Sequence, residues 1–206
     1  MATPQLLLIA GISCSGKTTL ASELGRRLDA VRLSVDDYYR PYENLTFEER
    51  RAINFDAPDS IDVDGLVGDI RSLLAGQTIH KPQYSFSEFT RVGYEPVYPG
   101  PFIVLEGLFA LYWNQLNELA NMKVFVQADS AVCLARRLER DAVERGRSEY
   151  DSMVRYRTHV EPNQQRYVLP TQAVADRIVS GETCLQSNAQ MLVEQIAQAA
   201  SFTLQP

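Results

Sequence analysis

Cysteine is scarce and unpatterned in this chain. Cys14, Cys133 and Cys184 are the three in 206 residues, too widely spaced for a metal-holding pair and too few for a framework of bridges. That usage fits a reducing compartment, and a cytoplasmic protein is expected. Histidine is scarcer: His80 and His159 stand alone, and each is read as solvent-facing or structural. Long hydrophobic runs are missing too. The run Leu6–Ala10 is short and no basic segment precedes it, so neither a membrane span nor a signal peptide is expected. There is no basic excess: 20 Lys and Arg against 26 Asp and Glu leave a net charge of −6. That argues against a nucleic-acid polymer as partner, although local basic clusters can still bind a small phosphate. No repeat, low-complexity segment or linker divides the chain, so one domain over residues 1–206 is expected. With 45% hydrophobic and 22% charged residues, the composition is that of an ordinary globular protein.

What is present is an alternation of strand and helix. Leu6–Ala10 suits a buried parallel strand. Leu20, Leu24 and Leu28 mark a helix, and Val31–Val35 a second strand ending at Asp36 and Asp37. Leu66, Ile70, Leu73 and Leu74 mark another helix, closed by Gly76. The stretch Pro82–Pro101 holds Tyr84, Phe86, Phe89, Tyr94 and Tyr98 around Gly93, which predicts a hairpin outside the main sheet. Strands follow at Phe102–Leu105, Lys123–Val126 and Asp176–Val179, with helices at about 130–146 and 192–199. The pattern predicts an α/β fold: a parallel sheet covered by helices on both faces. Ligands of such sheets sit beyond the carboxyl ends of the strands, where Asp36, Asp37, Glu106 and a glycine loop fall.

That loop, Gly11-Ile12-Ser13-Cys14-Ser15-Gly16-Lys17-Thr18, satisfies G-x-x-x-x-G-K-[ST] between a predicted strand and helix. Gly11 and Gly16 let successive N–H groups turn toward one point, and the helix N-terminus adds partial positive charge. Lys17 supplies a full charge to the terminal phosphates of ATP, and the Thr18 hydroxyl can ligate Mg²⁺. The alternative is a glycine-rich turn before an ordinary helix. Asp36 or Asp37 can accept the proton of an attacking hydroxyl or help hold Mg²⁺, or the pair can cap a turn. Glu106, ending an apolar strand, is placed like the acid that completes the metal environment of such sites, or like a helix-start residue. Arg136, Arg137, Arg140, Arg145 and Arg147 crowd one segment among Glu139, Asp141 and Glu144. They read either as a solvated face or as cations that close over phosphates.

Five patterns in order resemble the uridine kinase (uridine–cytidine kinase) family over nearly the whole chain. They are the loop Gly11–Thr19, with Ser13, Cys14, Ser15 and Thr19 among its residues; Ser34-Val35-Asp36-Asp37-Tyr38-Tyr39; and Asn54-Phe55-Asp56-Ala57-Pro58-Asp59, where Ala57 replaces the usual histidine. Leu105-Glu106-Gly107 and the run from Arg136 to Arg147 complete the set, and Tyr167, Pro170, Thr171, Ala175 and Asp176 fall in register. The resemblance implies transfer of a phosphoryl group from ATP, with Mg²⁺ near Thr18, Asp36 and Glu106, to the 5′-hydroxyl of uridine or cytidine. It implies Asp36 rather than Asp37 as general base, Asp56 on the ribose hydroxyls and Tyr84 against the base. Arg137, Arg140, Arg145 and Arg147 would contact phosphates or nucleoside from a lid at about 136–150, and the assembly would be a homotetramer. Two positions depart from the pattern: Phe89 stands where a histidine is usual, and Arg155 where many members carry glutamine. The resemblance associates both positions with the nucleoside site. They keep phosphoribulose, pantothenate or nicotinamide riboside open as acceptors; a nucleotide-hydrolysing regulator is the alternative of another class.

Overall fold

The computed structural model describes residues 4–202. Its strands are β1 (Gln5–Gly11), β2 (Val31–Ser34), β3 (Ile79–Ser85), β4 (Thr90–Val97), β5 (Phe102–Glu106), β6 (Met122–Gln127) and β7 (Arg177–Ser180). Its α-helices are α1 (Lys17–Leu28), α2 (Phe47–Arg51), α3 (Val63–Leu74), α4 (Asn114–Asn117), α5 (Ser130–Arg145), α6 (Glu149–Arg155), α7 (Glu161–Asn163) and α8 (Leu185–Phe202). Five strands form one sheet in the order β2-β5-β1-β6-β7, every pairing parallel. The expected α/β architecture is therefore present.

The sheet is apolar on both faces because both are covered. Side chains alternate along each strand. Leu6 and Leu8 of β1 join Ile103 and Leu105 against Leu66, Ile70 and Leu73 of α3. Leu7 and Ile9 join Val104 against Leu20 and Leu24 of α1 and Leu192 and Ile196 of α8. Burying each such side chain stabilises the fold by about 1.5–3 kcal/mol. A one-residue slip of β1 would exchange its two faces, so the register is fixed, and with it the place where β1 opens into the glycine loop.

Several boundaries move. β2 ends at Ser34, one residue earlier than expected, because the Ser34 hydroxyl accepts the Asp36 N–H at 3.2 Å and starts a 3₁₀ turn over Val35–Tyr38. The hairpin is present as the antiparallel pair β3–β4, but its turn lies at residues 86–89 rather than at Gly93. Gly93 sits inside β4 opposite Gln83, beside a register shift that leaves Val92 as the extra residue of a bulge. The last helix is longer than expected, running Leu185–Phe202. The short helices α2 and α4 and the helical stretch over 149–174 escaped the reading. After α6 the chain makes π-helical turns at Tyr156–Val160 and Gln164–Val168 on either side of α7, then a 3₁₀ turn over Leu169–Val174. Pro162, within α7, lacks the N–H that a regular helix would use. Among the described residues no helix is long and apolar enough to cross a membrane.

Candidate active site

A cavity of about 650 Å³ lies beyond the carboxyl ends of β1, β2 and β5. At one end is the glycine loop. Gly11 ends β1, and Gly16 adopts φ +100°, a conformation that strains any side chain. Gly16 is the N-cap of α1 and no side chain caps it. The N–H groups of Lys17, Thr18 and Thr19 are thus uncapped at the positive end of the helix dipole. Cys14 also turns through the left-handed region, at φ 63°. Lys17 arches back over the loop, its Nζ 3.5 Å from the Ile12 carbonyl. Ser15 is buried, and its hydroxyl has no hydrogen-bond partner.

Two acids meet this loop. Parallel pairing places Ser34 opposite Glu106, and the Glu106 carboxylate accepts from Thr18 Oγ1 at 3.2 Å and from Ser34 Oγ at 3.4 Å. Gly107 permits the approach, since a Cβ there would lie 2.6 Å from Val35 Cβ. Asp36 lines the cavity from the first turn after β2. Burial and the negative charge of Glu106 push its carboxyl up to about 6, against the pull of Lys17. Its charge also acts on Arg145 on one side and on Tyr39 and Tyr84 on the other. Asp37 is turned away and pairs with Lys81 of β3 at 2.7 Å, and Lys81 also meets Glu95 of β4 at 2.9 Å. The two acids therefore divide, Asp36 to the cavity and Asp37 to the hairpin.

The arginine segment forms the roof. Helical spacing puts Arg137, Arg140, Asp141 and Arg145 on one face of α5. Arg137 donates to Ser13 Oγ at 3.0 Å, and Arg136 reaches the Cys14 carbonyl at 3.3 Å and the Gly181 carbonyl at 3.2 Å. The C-cap Gly146, left-handed at φ 58°, turns the chain so that Arg147 comes back over the helix end. Burial and neighbouring arginines, Arg140 for Arg145 and Arg155 for Arg147, lower both guanidinium groups from their ordinary value.

The other end is aromatic. Asn54 Oδ1 accepts the Asp56 N–H at 3.1 Å, turning Asp56 to the cavity wall. The Tyr39 ring stands 5.1 Å from both Phe55 and Tyr84 and 6.4 Å from Phe86. Phe89, at φ 53° in the hairpin turn, stacks on Phe55 at 5.9 Å. The Tyr84 hydroxyl is buried with no hydrogen-bond partner, an unusual state for a phenol unless a ligand supplies one. Arg155 also lines the cavity, where its charge acts on Arg147, and its guanidinium makes no hydrogen bond or ion pair among the described residues.

Of the residues expected from the sequence, Ser13, Lys17, Thr18, Asp36, Asp56, Tyr84, Phe89, Glu106, Arg137, Arg140, Arg145, Arg147 and Arg155 line this one cavity. Gly11, Cys14, Ser15, Gly16 and Thr19 shape the loop without lining it. Sequence reasoning gave no site role to Tyr39, Phe55 and Phe86, although it quoted them, and did not mention Arg51 or Asp151; all five line the cavity, and His159, read as isolated, reaches its wall while remaining exposed. It also missed Asp141 as the centre of the roof, although its spacing from Arg137 and Arg145 was the available signal. Among the described residues no three His, Cys, Asp or Glu side chains form a metal cage. The hydroxyl of Thr18 with the carboxylates of Glu106 and Asp36 is an oxygen set suited to Mg²⁺, which commonly takes one or two carboxylates plus phosphates.

A strand-loop-helix phosphate cradle, with an acid at the neighbouring strand end and an arginine roof, defines a P-loop phosphotransferase. Residues 6–186 match the Phosphoribulokinase / Uridine kinase family. Proteins named uridine kinase are similar along most of the chain. That of Chloroflexus aurantiacus is 36% identical over 204 residues, covering 97% of this chain and 98% of that protein. That of Leuconostoc citreum is 38% identical over 182 residues, covering 85% and 87%. The chain belongs to the phosphoribulokinase/uridine kinase family. Among solved structures, a putative fructose transport system kinase from Silicibacter sp. TM1040 superposes with a TM-score of 0.72 at 20% identity, covering 87% of this chain and 91% of that one. The phosphoribulokinase of Rhodobacter spheroides superposes at 0.62 and 14%, covering 88% and 73%. Both likenesses concern the fold.

Proposed function

We propose that the protein transfers the γ-phosphoryl group of ATP to the 5′-hydroxyl of uridine or cytidine. The observation that carries this is one continuous cavity whose two ends differ in chemistry, with Asp36 acting electrostatically on both. Lys17 and the N–H groups at the start of α1 bind the β- and γ-phosphates, with Arg137, Arg140 and Arg145 on their outer side. Phosphoryl transfer depends chiefly on positioning and charge, because its transition state is loose. Thr18, Glu106 and Asp36 would hold Mg²⁺, which neutralises phosphate charge when bound.

Asp36 takes the proton of the attacking hydroxyl. A carboxyl pushed up to about 6 is a stronger base than an ordinary aspartate and is still mostly ionised at neutral pH. Asp56 accepts from the ribose hydroxyls. The rings of Phe55, Tyr84 and Phe89 hold the base, and the unpartnered Tyr84 hydroxyl gains a polar partner from it. Arg147 and Arg155 lie at the nucleoside end of the roof.

A screen by mass spectrometry tests this. The protein is incubated with ATP and Mg²⁺ and, in turn, uridine, cytidine, a phosphorylated pentose, pantothenate and nicotinamide riboside. A nucleoside monophosphate formed with stoichiometric ADP is the expected result. Product from the phosphorylated pentose alone would shift the assignment to an anionic acceptor, which the free Arg155 beside Arg147 could receive. ADP release independent of every acceptor would refute the kinase reading.

A further inference from the structure

Resting on the phosphotransfer reading, we propose that Asp141 is a positioning residue whose one buried carboxylate gathers four lid arginines and holds them aligned before nucleotide arrives. The Asp141 side chain is 0% exposed, and four guanidinium groups surround it: Arg140 at 2.8 Å, Arg137 and Arg145 at 3.5 Å, and Arg147 at 3.7 Å. Arg140 alone makes well-formed hydrogen bonds to it, two of them to Oδ1 at 2.8 and 3.2 Å. Asp141 Oδ2 and Arg137 Nε have no hydrogen-bond partner.

This is an incompletely satisfied array. A carboxylate accepts at about four lone-pair sites, whereas each guanidinium carries five donors. Four positive charges face one negative charge at the centre of the cluster; Glu144 and Asp36 act on Arg140 and Arg145 from farther off. Asp141 makes the cluster tolerable without neutralising it, because buried cations without a counter-ion are strongly unfavourable. The surplus donors line the cavity, where phosphate oxygens can complete them.

The backbone of the same residue fixes the chain beyond the helix. The Asp141 carbonyl accepts the N–H of Gly146 and, at 3.0 Å, that of Arg147. Those bonds survive a change of side chain, so Asp141→Asn isolates the charge. Without it the arginines lose both their common anchor and the anion that competes with phosphate. Two readouts should then separate. Titration with ADP should show affinity equal to wild type or tighter. Turnover with ATP and acceptor should fall about 10²-fold, the scale of a misplacement near 1 Å. Asp141→Glu, which keeps the charge, should recover part of that loss.

A merely structural aspartate gives a different pattern. ADP affinity and turnover would fall together and Glu would serve no better than Asn, and that result overturns the proposal. If Asp141→Asn does not fold, the Glu variant carries the same test: turnover reduced with ADP affinity retained. If the wild type phosphorylates no acceptor, the acceptor assignment fails, but hydrogen exchange over residues 130–155 still decides the role of Asp141. Exchange should be faster in the nucleotide-free Asn variant and return to wild-type rates with ADP. Equal exchange in the nucleotide-free proteins would reject it.

Discussion

The two ends of the cavity are built from different materials. The phosphate end is made of backbone: a loop between adjacent elements, the start of α1, and acids at the ends of paired strands. The acceptor end is made of side chains brought from the turn after β2, the segment 53–56 and the hairpin. The first is fixed by sheet register and helix geometry, and its chemistry is charge. The second is fixed by ring contacts, and its chemistry is shape with a few polar groups. Damage at the phosphate end should therefore abolish turnover for every acceptor, while damage at the acceptor end should change which acceptor is used.

The sharpest test of that division is Lys17→Ala. Lys17 is the first residue of α1, and among the described residues its side chain makes one long polar contact, to the Ile12 carbonyl, so melting temperature should hold. A cation fixed on a transferring phosphoryl group is worth about 10³–10⁵ in kcat, and a loss on that scale is expected equally with every acceptor. Near-normal turnover in this variant would sink the phosphate-loop assignment.

Asp36 and Asp37 test the comparison in a second way, because neighbours in sequence face apart, Asp36 into the cavity and Asp37 to the hairpin. Asp36→Asn should lower kcat by about 10²–10⁴-fold with ATP binding little changed. Asp37→Asn instead loosens the hairpin through Lys81, so it should raise the acceptor KM and leave most of kcat. Equal losses would show that the register of the two acids is wrong. The raised carboxyl of Asp36 also has a stability consequence. A folded-state value of about 6 against an ordinary 3.8 stabilises the fold below the lower value, and this is lost as pH rises through 6. Asp36→Asn escapes that loss, so it should melt several degrees above wild type at pH 8, with the gap closing toward pH 4.

The rate should carry the same titration. Proton acceptance needs the carboxylate, so kcat/KM in the wild type should fall about tenfold per pH unit below a midpoint near 6. An acid limb set near pH 4 would mean that a cation in the loaded site, Mg²⁺ among them, outweighs burial and Glu106 at Asp36.

The phosphate end was largely legible in the sequence because its signals are local. Gly11–Thr18 is contiguous, and an apolar run ending in Glu106 announces a buried strand with an acid at its tip. The acceptor end was legible only through resemblance. Nothing in the spacing of Tyr39, Phe55 and Tyr84 says that their rings meet, because the contacts cross from one segment to another. Gly93 misled the placement of the turn, since glycine serves a strand bulge as well as a reversal. The roof lay between these cases. The periodicity of Arg137, Asp141 and Arg145 shows a shared helix face, but whether that face met solvent or the cavity depended on how α5 lies over the glycine loop.

The smallest expected effect bears on how the acceptor end tells bases apart. Uracil presents an acceptor at its 4-position and cytosine a donor there. A histidine can serve either; Phe89 can serve neither, and its stacking on Phe55 confines it to packing against a ring. Arg155 can only donate, and its unpaired guanidinium in the same cavity would favour the oxygen of uracil. Apolar pockets separate close analogues weakly, whereas a dedicated hydrogen bond can reject them by orders of magnitude. With one long donor and largely aromatic surroundings, the uridine to cytidine ratio of kcat/KM should lie within about tenfold of unity. Arg155→Gln, which can donate or accept, should bring that ratio closer to one. Phe89→His should raise kcat/KM for both nucleosides while leaving the ATP KM unchanged, as an effect confined to the acceptor end requires. Sharp discrimination in the wild type that survives both substitutions would place base reading elsewhere, with the Tyr84 hydroxyl as the next group to remove. A change in ATP KM from either substitution would instead show that the two ends are coupled through the roof, by way of Arg147, whose guanidinium lies within reach of both Asp141 and the field of Arg155.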